Sequence, residues 1–215
     1  MTQKITSTNI QNSSKHIFII DDDESMRVTL KGMLEFLGYQ VHVFESAIEF
    51  LKISINIAPV VVITDMRMPD MSGVELQAEL LKRGRQIPII FISGESTLPQ
   101  TISAMKQGAI EFLIKPFDRD QILSAIVRGL EQDAAYMHSF IEQVSLEERL
   151  KSLAPREREV FELLALGFNN AEIQEKLQIA LPTAKQYKSE VMRKLNLSSL
   201  AQLIALKKVC QKTSF

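Results

Sequence analysis

The chain has 215 residues, 46% of them hydrophobic and 24% charged, a balance that excludes wholesale disorder and allows two small domains, each with its own core. Its single cysteine, Cys210, excludes an intrachain disulfide framework and a cysteine-based zinc site, and fits a reducing, cytoplasmic setting. The net charge of −1 conceals a split: residues 150–215 carry 11 Lys and Arg against 6 Asp and Glu, while residues 1–149 carry 14 against 20, so an acidic front is joined to a basic back suited to nucleic acid.

Residues 1–14 are polar, lack the apolar segment of a signal peptide and read as a loose tail. No apolar run approaches the roughly 20 residues needed to span a bilayer. His16–Ile20 is a continuous apolar run ending in acids, the pattern of a strand buried on both faces. Met26, Leu30, Met33, Leu34 and Leu37 form a helical stripe that Gly38 stops. A second strand follows over Tyr39–Phe44 and a second helix around Ala47–Leu51. Val60–Ile63 is a third buried strand ending at Thr64 and Asp65. Val74–Leu81 is helical, Pro88–Ile92 is a fourth strand followed by Ser93 and Gly94, and Thr101–Gln107 is helical up to Gly108. Ile110–Ile114 is a fifth strand followed by Lys115 and Pro116, with a fifth helix starting near Asp118. Five repeats of strand then helix predict a doubly wound parallel sheet of flavodoxin-like topology over residues 15–129.

No strand pattern appears between Arg119 and Val144. Ile122, Ile126, Leu130, Met137, Ile141 and Val144 recur at helical spacing, so residues 130–149 read as a linker helix. Its stripe either pairs two subunits or packs on its own domains. Residues 150–215 then hold four short helical segments, Arg156–Leu166, Ala171–Leu177, Pro182–Leu195 and Leu200–Val209, an all-α domain.

In open parallel sheets, sites form at the carboxyl ends of the strands. Asp21 and Asp22 follow the first strand, Asp65 ends the third, Ser93 the fourth and Lys115 the fifth, so adjacent strands would gather them into one pocket. Clustered carboxylates repel, and a divalent cation relieves that repulsion; hard oxygen ligands suit Mg²⁺. A carboxylate held there can attack phosphorus and form an acyl phosphate, with Lys115 neutralising charge and the Ser93 hydroxyl donating to phosphoryl oxygens.

Asp21-Asp22, the segment from Thr64 to Gly73, Ser93-Gly94 and Lys115-Pro116-Phe117 resemble, in order and spacing, the receiver domains of two-component response regulators. The resemblance covers about residues 15–130. It implies that Asp65 accepts a phosphoryl group from a histidine kinase, with Asp22, Asp65 and the backbone carbonyl of Arg67 as Mg²⁺ ligands and Asp21 binding metal through water. It implies a cis Lys115-Pro116 peptide, and a switch in which Ser93 moves toward the phosphoryl group and Phe112 rotates inward. Asp23 reads as solvated charge or support for a helix N-terminus. The altered face around the fourth and fifth strands and helices would then change dimerisation or free the basic C-terminal domain.

In the basic part, two short helices joined by a tight turn form a helix-turn-helix pattern. Asn169 or Asn170 can cap the first. On the second, Ala184, Tyr187, Val191 and Leu195 would face inward, while Lys185, Gln186, Lys188, Ser189 and Arg193 face outward. Lys and Gln can read base edges, and Arg193 and Lys194 suit phosphate. Residues 150–210 resemble the LuxR/FixJ-type DNA-binding domain through the run Pro155 to Phe161, Asn169-x-Ala171-Glu172-Ile173, Thr183-Ala184-Lys185 and Val191 to Leu195. The resemblance implies four helices, the third reading double-stranded DNA through Thr183, Lys185, Gln186, Lys188, Ser189, Arg193 and Lys194, and the fourth serving dimer contact. Ala171 stands where that family usually has Lys, Tyr187 where it has His and Ala184 where it has Val. Three or four phosphate contacts per subunit would make a dimer's log affinity fall by about 5 to 7 per tenfold salt.

These features together describe a cytoplasmic, phosphorylation-controlled transcription regulator rather than an enzyme. Its partners would be a sensor histidine kinase, promoter DNA, a second copy of itself and RNA polymerase, with no membrane contact. Two other readings stand beside it. One is a DNA-binding regulator that acts without phosphorylation. The other, from Asp21-x-Asp23-x-Ser25, is a haloacid-dehalogenase-type phosphatase with Asp21 as nucleophile, although no cap domain or later paired acids accompany it.

Overall fold

A computed structural model describes residues 14–94 and 98–213, with side chains for all of these except 98–100 and 208–213. The polar tail expected over residues 1–14 therefore lies, up to residue 13, outside the described residues, as does the Cys210 side chain. The chain forms two compact units, the first ending at Ser139 and the second beginning at Phe140.

The first unit alternates β1 (His16–Ile20), α1 (Glu24–Phe36), β2 (Gln40–Phe44), α2 (Ala47–Phe50), β3 (Val60–Asp65), α3 (Gly73–Lys82), β4 (Ile89–Ser93), α4 (Leu98–Lys106) and β5 (Glu111–Ile114), followed by α5 (Arg119–Lys151). The sheet is parallel, in the order β2-β1-β3-β4-β5. Its three central strands are buried almost throughout, which is why they read as unbroken apolar runs. Alternate residues feed opposite layers. Phe18, Val60, Val62 and Phe91 pack with Leu76 of α3. Ile17, Ile19, Val61, Ile63 and Ile90 pack with Leu30 and Leu34 of α1 and Ile122, Ile126 and Leu130 of α5.

Local chemistry sets the helix starts. Asp23 caps α1 by accepting from the backbone N–H groups of Ser25 and Met26. Ser72 and Glu75 form a reciprocal capping box on α3. The apolar stripe of α5 is not uniform: Ile122, Ile126 and Leu130 are buried, whereas Ile141 and Val144 are exposed.

Asp133 of α5, fully buried, accepts from Val60 N–H at 2.8 Å and pairs with Arg85 at 3.0 Å. Burial pushes its carboxyl above the ordinary aspartate range, although the Val60 N–H and the Arg85 charge act the other way. Arg85 also donates to the carbonyls of Ile55 and Ile57, so this pair holds the segment leading into β3 against α5.

The second unit is helical, with α6 (Pro155–Ala165), α7 (Asn170–Leu177), α8 (Leu181–Lys194) and α9 (Leu200–Thr213). Its core joins Leu153, Val160, Phe161, Leu164, Ile173, Ala184, Val191, Leu195 and Leu203. Of the two candidate caps for α7, Asn169 is the one used, accepting from Ala171 and Glu172. Gln178, left-handed at φ 52°, turns the chain toward α8.

Candidate functional site

Parallel register brings the ends of β1, β3, β4 and β5 together, and Asp21, Asp22, Asp65 and Lys115 meet there. Asp21 is 2% exposed and Asp65 9%. The Lys115 ammonium lies 2.8 Å from Asp65 Oδ2 and 3.3 Å from Asp21 Oδ2. Asp21 Oδ1 accepts from Asp23 N–H at 2.9 Å, and Asp65 Oδ1 accepts from Arg67 N–H at 2.8 Å. Exposed Asp22 completes a cluster in which Asp21, Asp22 and Asp65 each offer a carboxylate oxygen within 4.8 Å of the others. Ser93 is buried at the end of β4, and the Lys115-Pro116 peptide is cis. Phe112, on β5, packs half-buried against the layer containing Phe91.

The electrostatics are those of a crowded, partly buried corner. Burial raises the Asp21 carboxyl above its ordinary range, and the nearby Asp65 charge adds to that, while the Asp23 N–H and Lys115 oppose it. Burial works against the Lys115 charge, but its bond to Asp65 and the field of Asp21 hold the ammonium above its ordinary value. The donor set is all oxygen, with one lysine alongside, which fits a hard divalent cation such as Mg²⁺ and not a soft metal.

Two further residues shape the pocket in ways the sequence does not reveal. Arg27 of α1 donates at 2.7 Å to the backbone carbonyl of Asp21 and steadies the loop carrying the acids. Only its position one turn into a helix after an acidic loop could have suggested that. Gly73 opens α3, and a Cβ there would stand 2.5 Å from the Asp65 carbonyl oxygen and 2.9 Å from the Phe91 ring. The motif includes Gly73, but its steric role emerges only once β3 and α3 are seen in contact.

The predicted DNA-facing helix is α8, which follows α7 after a short turn. Lys185, Gln186, Ser189 and Arg193 are exposed, and Thr183, Lys188 and Lys194 are half-buried. Ala184, Val191 and Leu195 are buried as expected, with Tyr187 packed partly against them. Two of the four cations are already engaged. Arg193 pairs with Glu190 at 2.7 Å on the exposed face. Lys194 reaches Glu157 of α6 at 2.7 Å, and Glu157 also accepts from Ala154 N–H at 2.7 Å. The Lys194 bond and that N–H hold the Glu157 carboxyl below its ordinary value. Lys194, expected from sequence at a phosphate, thus braces α8 to the start of α6.

Residues 17–127 match the family described as the response regulator receiver domain, and residues 151–206 match the bacterial regulatory proteins of the luxR family. The chain belongs to the response regulator family. The regulator is 36% identical over 190 residues to nodulation protein W of Bradyrhizobium diazoefficiens, covering 88% of this chain and 84% of that protein. It is likewise 36% identical over 190 residues to the transcriptional regulatory protein FixJ of Rhizobium meliloti, covering 88% and 93%. Among solved structures it superposes on the response regulator StyR with a TM-score of 0.84 at 39% identity, covering 91% of this chain and 99% of that one. The regulator therefore joins a receiver domain to a LuxR-type DNA-binding domain, and the dehalogenase-type reading of Asp21 gives way to that membership. Among the described residues, no helix is long and apolar enough to cross a membrane.

Proposed function

We propose that the regulator accepts a phosphoryl group on Asp65 from a sensor histidine kinase, in the cytoplasm, and then binds promoter DNA as a dimer. The observation that carries this reading is the placement of the Lys115 ammonium 2.8 Å from Asp65 and 3.3 Å from Asp21, beside the Asp21–Asp22–Asp65 cluster. In the transfer, an Asp65 oxygen forms a bond to phosphorus as the bond from phosphorus to the donor's imidazole nitrogen breaks, and the imidazole leaves with the electron pair. Lys115 offsets negative charge at the acceptor, and the Ser93 hydroxyl donates to a phosphoryl oxygen. Asp22, Asp65 and the Arg67 carbonyl would hold Mg²⁺ directly and Asp21 would hold it through water; when bound, the ion supplies charge shielding for the incoming phosphoryl oxygens.

The added charge of about −1.5 to −2 biases the switch residues Ser93 and Phe112 and, through them, the face formed by α4 and β5. On DNA, Thr183, Lys185, Gln186, Lys188, Ser189 and Arg193 of α8 would face the groove, two copies of the chain meeting half-sites related by a dyad. We assign residues 15–129 to the receiver, 130–149 to a linker helix whose first turn seals the receiver core, and 150–215 to the DNA-binding domain.

The test is direct. The full chain is incubated with acetyl phosphate and Mg²⁺, the modified residue is mapped by peptide mass, and DNA affinity is compared before and after. A single phosphoaspartate at Asp65 with tighter DNA binding is expected. A phosphoryl group elsewhere overturns the pocket assignment. Unchanged DNA affinity and unchanged oligomeric state on phosphorylation would favour a regulator that acts without it.

A further inference from the structure

Among the described residues of the first unit, three buried side-chain atoms lack a hydrogen-bond partner: Gln77 Oε1, Arg85 Nε and Gln107 Oε1. Buried polar groups without partners are rare in folded proteins. Here all three residues line one small cavity, walled also by Leu80, Ile87 and Ile89, with a volume of about 10 Å³. That is the room one water molecule needs.

Other polar atoms of these residues bond elsewhere. Gln77 Nε2 donates to the carbonyls of Ala104 and Gln107 at 3.4 and 3.3 Å. Gln107 Nε2 donates to Ser103 Oγ at 3.2 Å. The terminal nitrogens of Arg85 donate to Ile55, Ile57 and Asp133. Both amide nitrogens thus face acceptors elsewhere. Two acceptors and one N–H donor are left over on residues that line the cavity.

We propose that a single buried water occupies this cavity, donating its two hydrogens to Gln77 Oε1 and Gln107 Oε1 and accepting from the Nε–H of Arg85. The complement is specific to water. An ammonium ion offers no acceptor to the Arg85 N–H, an anion would face two amide oxygens, and the volume admits nothing larger. The water joins α3, through Gln77, to the turn after α4, through Gln107, and to the approach to β4, through Arg85. Arg85 also holds Asp133, so the polar joint extends to α5. It lies at the amino ends of β3 and β4, the end of the sheet away from Asp65.

Two measurements on the full chain test this. In the wild-type protein, with arginine side chains labelled for nuclear magnetic resonance, the Arg85 Nε–H is expected to exchange slowly with bulk solvent and to show cross-relaxation from a long-resident water. A protected Nε–H without that cross-peak overturns the proposal. The second is a cycle of Gln77→Met, Gln107→Met and the double variant, read by urea unfolding. Each single change is expected to raise the unfolding equilibrium constant about tenfold, the scale for stranding one buried polar group. The double is expected to add less than about threefold beyond the more damaging single, because the second residue has then already lost its shared partner. Strict additivity of the two changes overturns the water bridge.

Discussion

The two charged regions of this regulator handle charge in opposite ways. At the ends of the parallel strands, Asp21, Asp22, Asp65 and Lys115 are packed into a corner where two of the acids are buried and one ammonium serves both. Along α8, Lys185, Lys188 and Arg193 lie on a helix face that water largely reaches, while Lys194 turns to Glu157. Burial makes each charge in the first region depend on its neighbours, so removal of one strands the others. Exposure makes charges in the second region sensitive to salt and less dependent on one another. The first arrangement suits a switch set by one covalent event, the second a graded affinity for a polyanion.

The largest expected effect belongs to the crowded region. Asp65→Asn should abolish phosphoryl incorporation from acetyl phosphate and Mg²⁺, measured by intact mass; full incorporation in that variant would erase the distinction between the regions. Next comes the salt dependence of DNA binding. If Arg193 and Lys194 stay on Glu190 and Glu157, only Lys185 and Lys188 of α8 neutralise phosphates, and a dimer's log affinity should fall by about 3.6 per tenfold salt on their account. A measured slope of about 5 to 7 would mean that the paired cations are released to DNA or that phosphates are met outside α8. Third, Asp133→Ala leaves Arg85 and the Val60 N–H unpaired in the interior and should cost about 3–5 kcal/mol in urea unfolding.

Gly73→Ala is expected to cost less, about 1–3 kcal/mol, because the new methyl meets the Asp65 carbonyl and Phe91. It should also slow phosphoryl uptake by shifting the strand end that carries Asp65, which acetyl phosphate kinetics would detect. The smallest effect is in the helical unit. Glu157 has a lowered carboxyl value when folded, so its bonds contribute stability above its unfolded-state value, and that contribution disappears as pH falls through the folded one. Glu157→Gln should weaken this unit slightly at neutral pH and flatten its stability on acidification, followed by circular dichroism across an acid series.

The receiver sheet was legible because its central strands are buried on both faces and so write continuous apolar runs between turn residues. Strand bounds were less legible than strand existence, for exposed β2 (Tyr39–Phe44 expected, Gln40–Phe44 found) and for buried β4 (Pro88–Ile92 expected, Ile89–Ser93 found) alike. The pocket was legible because its residues stand at fixed strand ends, where topology alone makes them neighbours. Arg27, Gly73 and the Arg85–Asp133 pair were not, since each acts across elements 6 to 48 residues apart and no local pattern records such a distance. The α8 helix divided the same way: its inward face followed from periodicity, but the capture of Lys194 by Glu157, 37 residues earlier, did not.

The Asp133 contact also bears on where the receiver can be cut. The family match ends at residue 127 and the sequence pattern suggests a boundary at 129, yet Leu130 is buried in the sheet's second layer and Asp133 caps the Val60 N–H from within α5. A fragment stopped at 129 would carry an exposed seam along β3, a donor with nothing to receive it and an arginine holding open carbonyl bonds without its counterion. A fragment carried to Ser139, where the first compact unit ends, keeps its own seal. The stretch that looks like connecting rod in the sequence is, for its first turn, part of the casing.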